Sequence, residues 1–158
     1  PEAQLDRFLF KLLVPYPAED EEARIVATYG QRSGPQRPAD LGVAAVTNAA
    51  EITAASAALS QVTVAEEITR YVVRLVRATR DHAELTVGAS PRAAVLLAGA
   101  ARARAALEGR AYVIPDDVKA LAVPVLRHRL TLSPAAEIEG RDMEALVAEL
   151  VEATEAPR

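Results

Sequence analysis

The chain has 158 residues, roughly one domain, and its 51% hydrophobic and 25% charged residues predict a packed core rather than disorder. A net charge of −4 argues against a generic nucleic-acid binder, and the absence of cysteine excludes disulfides, thiolate metal sites and cysteine nucleophiles. His82 and His128 are too far apart for an HExxH zinc motif, and no uncharged apolar run reaches the ~18 residues of a membrane span.

Trp is absent and aromatics are 4%, while alanine occurs 34 times. The core must therefore be built from Ala, Val and Leu, a composition that favours closely packed helices. The first residue is Pro1 and the sole methionine is Met143, so the chain reads as processed or as a piece of something longer. Pro1–Asp6 reads as a short helix piece. Arg7 to Val14 (RFLFKLLV) is a compact apolar run stopped by Pro15 and Pro17, which suits a buried strand. No other long strand is present for it to pair with.

Residues 18–29 open with acids and end at Gly30, the punctuation of a helix. Residues 30–42, with Gly30, Gly34, Pro35, Pro38 and Gly42, read as a loop. Asn48-x-x-Glu51 is a capping box for a helix to about Leu59. Val62–Val64 is a brief extended connector. Over Ala65–Asp81, Ile68, Val72, Leu75, Val76 and Thr79 share one helix face, and Arg70, Arg74 and Arg77 another. Leu85–Val87 is short and extended. Ser90 caps a helix with Pro91 at its first position, running to about Leu107 and ended by Gly109. Ile114-Pro115-Asp116-Asp117 starts the next helix, which Pro124 kinks or ends. A last helix covers about Asp142–Ala153. The predicted outcome is an all-α helical bundle.

Four features bear on chemistry. In Gly88-Ala89-Ser90-Pro91-Arg92-Ala93, the helix start presents N–H groups of partial positive charge. Arg92 in that first turn is unfavourable for the helix unless an anion faces it, since arginine holds phosphate oxygens bidentately. The plainer reading is a capped helix with a solvated Arg92. In Leu5-Asp6-Arg7-Phe8, rigid surroundings could hold Arg7 as a finger toward a neighbouring subunit's ligand; the alternative is an ion pair with Asp6 or Glu2. The arginines at 70, 74, 77 and 80 read as a solvated or interface face. The Arg127-His128-Arg129 run sits at a helix end, where cations complement the dipole, and His128 belongs to that cap rather than to a catalytic base. Asp116 and Asp117 are explained by helix-start stabilisation. None of the seven glycines is followed by lysine, so there is no phosphate loop.

Taken in order, PEAQLDRFLFKLLVPYP at 1–17, YVVRLVRATRDH at 71–82, GASPRA at 88–93 and EGRAYVIPDDVKALAVPVLRHRL at 108–130 resemble the C-terminal part of a MoxR-family AAA+ ATPase. The resemblance implies that residues 1–17 are the end of an α/β ATPase core, with its last helix and strand, and that residues 18–158 are a helical lid. It implies that Arg7 matches the arginine finger that reaches a neighbour's nucleotide, and that Arg92 matches the sensor-2 arginine at the γ-phosphate. Ser90, Pro91 and Arg92 would then face ATP phosphates. Such proteins are cytoplasmic chaperone-like machines that act with ATP and Mg²⁺ as homo-oligomeric rings, here expected to be hexamers. They remodel a client protein, in some cases with a metal-binding-domain partner; neither nucleic acid nor a membrane span is expected. The lysine-bearing loop and the Mg²⁺ ligands are expected outside these residues, so the chain alone is predicted not to hydrolyse ATP. A rival reading is a freestanding all-α interaction module; a weaker one is nucleic-acid binding through the helix around Arg70–Arg80.

Overall fold

A computed structural model describes residues 2–31, 34 and 37–157, with the side chains of Glu2 and Ala3 excepted. The loop expectation at 32, 33, 35 and 36 lies outside the described residues. In chain order the helices are α1 (Glu2–Leu5), α2 (Glu19–Tyr29), α3 (Ala49–Ala58), α4 (Glu66–Ala78), α5 (Pro91–Leu107), α6 (Pro115–Leu126), α7 (Pro134–Ile138) and α8 (Met143–Ala153). Two short strands, β1 (Leu85–Val87) and β2 (Thr131–Leu132), pair antiparallel with an irregularity between Leu85 and Val87. The fold is the expected helical bundle with this small ribbon added. The chain forms two compact units, Leu13–Ala54 and the remainder.

In the larger unit, α4, α5, α6 and α8 build the core. The apolar face of α4 buries Ile68, Tyr71, Val72, Leu75 and Val76, as the helical spacing of these residues demands. Ala93, Leu97, Ala101 and Ala105 of α5 are fully buried against α6, which is its most extensive neighbour. Small alanine side chains let the two helices approach closely. Val118, Ala122, Val125 and Leu126 of α6 and Leu146, Val147, Leu150 and Val151 of α8 complete the cluster. Gly109, at φ +71°, ends α5, and Arg110 N–H returns to the Ala105 carbonyl.

Proline positions set the helix starts as expected: Pro91 and Pro115 each open a helix whose preceding residue is extended. Pro124 lies inside α6, which runs on to Leu126, and its carbonyl, in the last turn of the helix, accepts from Lys11 N–H at 3.0 Å. The Val62–Val64 connector pairs through a single parallel bridge, Thr63 with Tyr112. The short α7 and the strand at 131–132 carry no periodicity long enough to be read from sequence.

The strand expected at 7–14 does not form. Residues 6–9 turn and bend, residues 10–18 have no regular structure, and Phe8, Leu12, Leu13 and Val14 are exposed. A strand needs a partner ladder for its N–H and C=O groups, and in the one ribbon among the described residues β1 and β2 pair only with each other.

In the smaller unit, α2 and most of α3 are helical, and every described residue is exposed. Asn48 caps α3 through its side chain, accepting from Glu51 N–H at 3.0 Å, while the Glu51 carboxylate takes the Thr47 hydroxyl at 2.8 Å. The box is thus half closed.

Candidate functional site

The segment Gly88-Ala89-Ser90 delivers the chain into α5, and α4 fixes its position. Thr79, fully buried at the end of α4, donates its hydroxyl to the Val76 carbonyl at 2.6 Å and accepts from Ala89 N–H at 2.9 Å. Arg80 Nε donates to the Ala89 carbonyl at 2.8 Å. Both backbone groups of Ala89 are therefore held. Gly88 lies so close that an added Cβ would stand 2.6 Å from Arg80 Cα and 2.7 Å from the Thr79 carbonyl oxygen. Only glycine allows that approach.

Ser90 occupies the N-cap position of α5 but does not cap it. Its hydroxyl is drawn instead to the Asp6 carboxylate, at 3.3 and 3.4 Å from the two oxygens. This corrects the capping expected of Ser90: a cap needs the serine oxygen turned to accept from an α5 N–H, and here the side chain is oriented to donate to Asp6 instead. The start of α5 is thereby left without a side-chain acceptor, keeping its dipole end available to an external anion.

Asp6 is bound from the other side by Arg129, whose side chain is only 1% exposed. Arg129 Nε donates to Asp6 Oδ1 at 3.1 Å. Its remaining nitrogens donate to the carbonyls of Asp6 (3.0 Å), Phe8, Leu9 (3.3 Å) and Val125. The bond to Val125 closes the last turn of α6, so the cation does act on the helix end, as expected of this run. The others grip the turn that carries Arg7. Burial works against the Arg129 charge and Asp6 works for it, while Arg92 adds repulsion. Arg92 is thus within electrostatic reach of the pair.

His128 lies beside this network. Its Nε2 is 2.8 Å from Arg129 Nη1 and 3.0 Å from the Phe8 carbonyl. A guanidinium only donates and a carbonyl only accepts, so this one ring nitrogen can serve Arg129 or Phe8 but not both at once. The other ring nitrogen, Nδ1, is buried without a hydrogen-bond partner. Burial, opposed by the Phe8 contact and helped by the charges of Arg129 and Lys11, holds the His128 pKa below its ordinary value. A neutral ring sits comfortably beside Arg129. Arg127 turns away to Glu144 at the start of α8, at 2.6 Å.

These residues enclose a cleft of about 410 Å³ lined by Asp6, Lys11, Gly88, Ser90, Arg127 and His128, with Arg129 at its wall. Of the sequence candidates, the structure brings Ser90 to this cleft. Pro91 and Arg92 begin α5, both exposed, and Arg92 has no ion partner among the described residues. Arg7 is exposed on its turn, makes no ion pair with Asp6, and does not line the cleft. Of the alternative ion pairs for Arg7, the one with Asp6 is not formed, and the Glu2 side chain lies outside the described residues. Lys11 lines the cleft and is without an ion partner among the described residues.

The mutual contacts of Asp6, Ser90 and Arg129, and of Thr79 and Arg80 with Ala89, were not foreseen from the sequence. The only local signal was the placement of Arg129 directly after an apolar helix, where a long cationic side chain folds back readily. Two arginines of the α4 face are engaged within the chain: Arg70 with Glu66 at 2.5 Å, Arg74 with the Glu155 carbonyl at 2.9 Å. Asp117 exceeds the helix-start role read for it. It is 1% exposed and accepts two bonds from Arg110 at 2.6 and 2.7 Å, one from Ile114 N–H at 3.0 Å, with Arg104 at 3.4 Å. No group of three metal-ligating side chains occurs among the described residues.

The chemistry available here is anion recognition by a helix start, a free arginine and a lysine. Residues 77–150 match the family described as the AAA lid domain. The Bacillus subtilis protein YeaC, described as uncharacterized, is 38% identical over 99% of this chain and 48% of its own length. Chaperone MoxR1 of Mycobacterium tuberculosis is 41% identical over 84% of this chain and 36% of its own. Protein MoxR of Paracoccus denitrificans is 36% identical over 97% of this chain and 48% of its own. A crystal structure from Cytophaga hutchinsonii, described as a candidate ATPase, matches with TM-score 0.73 and 27% identity, covering 100% of this chain and 49% of that one. The chain spans about half the length, or less, of the relatives it matches.

Proposed function

The chain belongs to the MoxR-like AAA+ proteins and carries their lid domain, and from that premise we propose that it is the lid segment of an ATP-hydrolysing, ring-forming chaperone. The start of α5 faces the nucleotide's phosphates, with Arg92 as the sensor-2 arginine. Arg7 reaches a neighbouring subunit's nucleotide as the arginine finger. ATP with Mg²⁺ supplies the phosphoryl bond that is broken; the lysine loop and metal ligands belong to the preceding α/β core. What this chain's residues contribute is charge placed where charge develops, which is how phosphoryl transfer is accelerated. Lid motion then remodels a client protein in the cytoplasm. A homo-oligomeric ring, a hexamer in this reading, is required because Arg7 acts across an interface.

The observation that carries this reading is the start of α5, anchored through Ala89, uncapped by Ser90, and bearing an arginine with no internal partner among the described residues. An arginine in a first turn opposes the helix dipole, so a phosphate in front of it resolves the conflict. Exposed Arg7, on a turn held by Arg129, suits a finger in the same way. The test is steady-state kinetics of the whole ATPase. Arg92→Ala should lower kcat by about 10–100-fold and change ATP affinity far less, because the contact is made mainly in the transition state. Equal losses in turnover and affinity would contradict the role.

A further inference from the structure

A groove of about 430 Å³ lies between α4 and α5 and shares no lining residue with the cleft described above. It is lined by Val72 and Val73 of α4 and by Ala94, Val95, Ala98 and Gly99 of α5. The core uses the opposite faces of both helices, so this lining is left to solvent: Val95 is 71% exposed and Val73 43%. Apolar side chains held at the surface on helices gain by being covered. Gly99 stands in the middle of α5, where glycine weakens a helix relative to alanine. A Cβ added there meets no atom within 4 Å, so no contact within this chain calls for glycine. A body that approaches α5 closely from outside does.

The surroundings of the groove are charged opposite to the chain. α4 and α5 carry six arginines against two glutamates, in a protein of net charge −4. Arg70 pairs with Glu66 and Arg104 with Asp117. Arg74 and Arg102 reach only backbone carbonyls, and Arg77 and Arg92 have no ion partner among the described residues. Two of these four stand at the groove. Arg77 follows Val73 by one turn on the same helix face. Arg102 lines the groove itself, with its Nε buried and without a hydrogen-bond partner. We propose that the α4–α5 groove docks an amphipathic helix of a partner protein, its apolar stripe seated on Val73, Val95 and Gly99 and its flanking carboxylates paired with Arg77 and Arg102. A third helix laid between two is how helical bundles grow, and an apolar stripe in a groove is a common mode of peptide recognition. A nucleic acid would meet the same arginines, but the groove offers no aromatic ring on which a base could stack. Docking here is independent of the nucleotide roles assigned above.

The test uses the whole ATPase without nucleotide. The probe is a fluorescein-labelled peptide with leucines at helical spacing and glutamates on either side of them, titrated by fluorescence anisotropy. It should bind, and the same peptide with every glutamate replaced by lysine should bind at least about tenfold more weakly. Arg77→Glu should lower affinity for the acidic peptide and raise it for the lysine peptide, a reversal that loss of fold cannot produce. Val95→Asp and Gly99→Leu should each weaken the acidic peptide by about tenfold or more, with Gly99→Leu melting at or above wild type because leucine favours the helix. Leu107→Asp, exposed on α5 outside the groove, should bind like wild type. No binding, equal binding of the two peptides, or wild-type affinity of Val95→Asp or Gly99→Leu would overturn the proposal. A single-stranded oligonucleotide that binds where the acidic peptide does not would overturn it in favour of nucleic acid.

Discussion

At the scale of single residues, Asp117 is the most consequential buried charge outside the cleft. Burial raises its pKa, but the Arg110 hydrogen bonds, the Ile114 N–H and the charges of Arg110 and Arg104 outweigh this and leave it lowered. A folded pKa below the unfolded value of about 3.9 means the group stabilises the fold fully above that value. The contribution is lost as pH falls through the lower, folded pKa. Asp117→Ala should cost about 2–4 kcal/mol at neutral pH, measured by urea unfolding, and should flatten the acid limb of stability below about pH 4. An unchanged acid limb would show that other carboxylates govern it. Tyr71 is the opposite case. Its hydroxyl is buried without a partner, and burial raises its pKa. Removing an unsatisfied group relieves its desolvation, so Tyr71→Phe should be neutral or stabilising by up to about 1 kcal/mol. A clear loss in thermal denaturation would reveal a partner for that oxygen.

Among elements, the junction between α4 and α5 governs the site. Thr79, Arg80 and Gly88 fix where α5 begins, and none of them belongs to α5 itself. Gly88→Ala would press a Cβ into backbone rather than into a flexible side chain. It should destabilise by about 1–3 kcal/mol, read as a lower Tm, with chemical-shift changes confined mainly to residues 79–93. A Tm equal to wild type would mean that the loop moves freely from α4. The boundaries of α5 and α6 were legible in the sequence because Pro91, Pro115 and Gly109 act on their immediate neighbours. The apolar face of α4 was legible because its spacing is a local code. The expected capping by Ser90 failed for the reciprocal reason: a carboxylate distant in sequence orients the side chain away from the α5 N–H groups, and no local pattern announces it.

For the whole molecule, the sequence holds no lysine-bearing glycine loop to anchor a phosphate. The 158-residue chain alone should therefore hydrolyse ATP at background. Release of phosphate above background that vanishes with Arg92→Ala would contradict this. No helix among the described residues is long and apolar enough to cross a membrane. The stretch Leu13–Ala54 is a compact unit by itself and exposes every described residue, while the buried cluster lies wholly in the other unit. Core stability therefore belongs to α4, α5, α6 and α8.

The sequence by itself determined the helical class, the starts and stops of the long helices, their buried faces and the family resemblance. Each of these depends on neighbours within about one turn, through proline geometry, glycine at positive φ and 3.6-residue spacing. Only the tertiary structure decided which charges meet. It gave Asp6 to Arg129 and Ser90 rather than to Arg7, Ala89 to Thr79 and Arg80, and Arg110 to a buried Asp117. It also denied the apolar run at 7–14 its strand. Ion pairs and ladders form between groups brought within hydrogen-bond reach, and that reach spans more than eighty positions here, far beyond any local pattern.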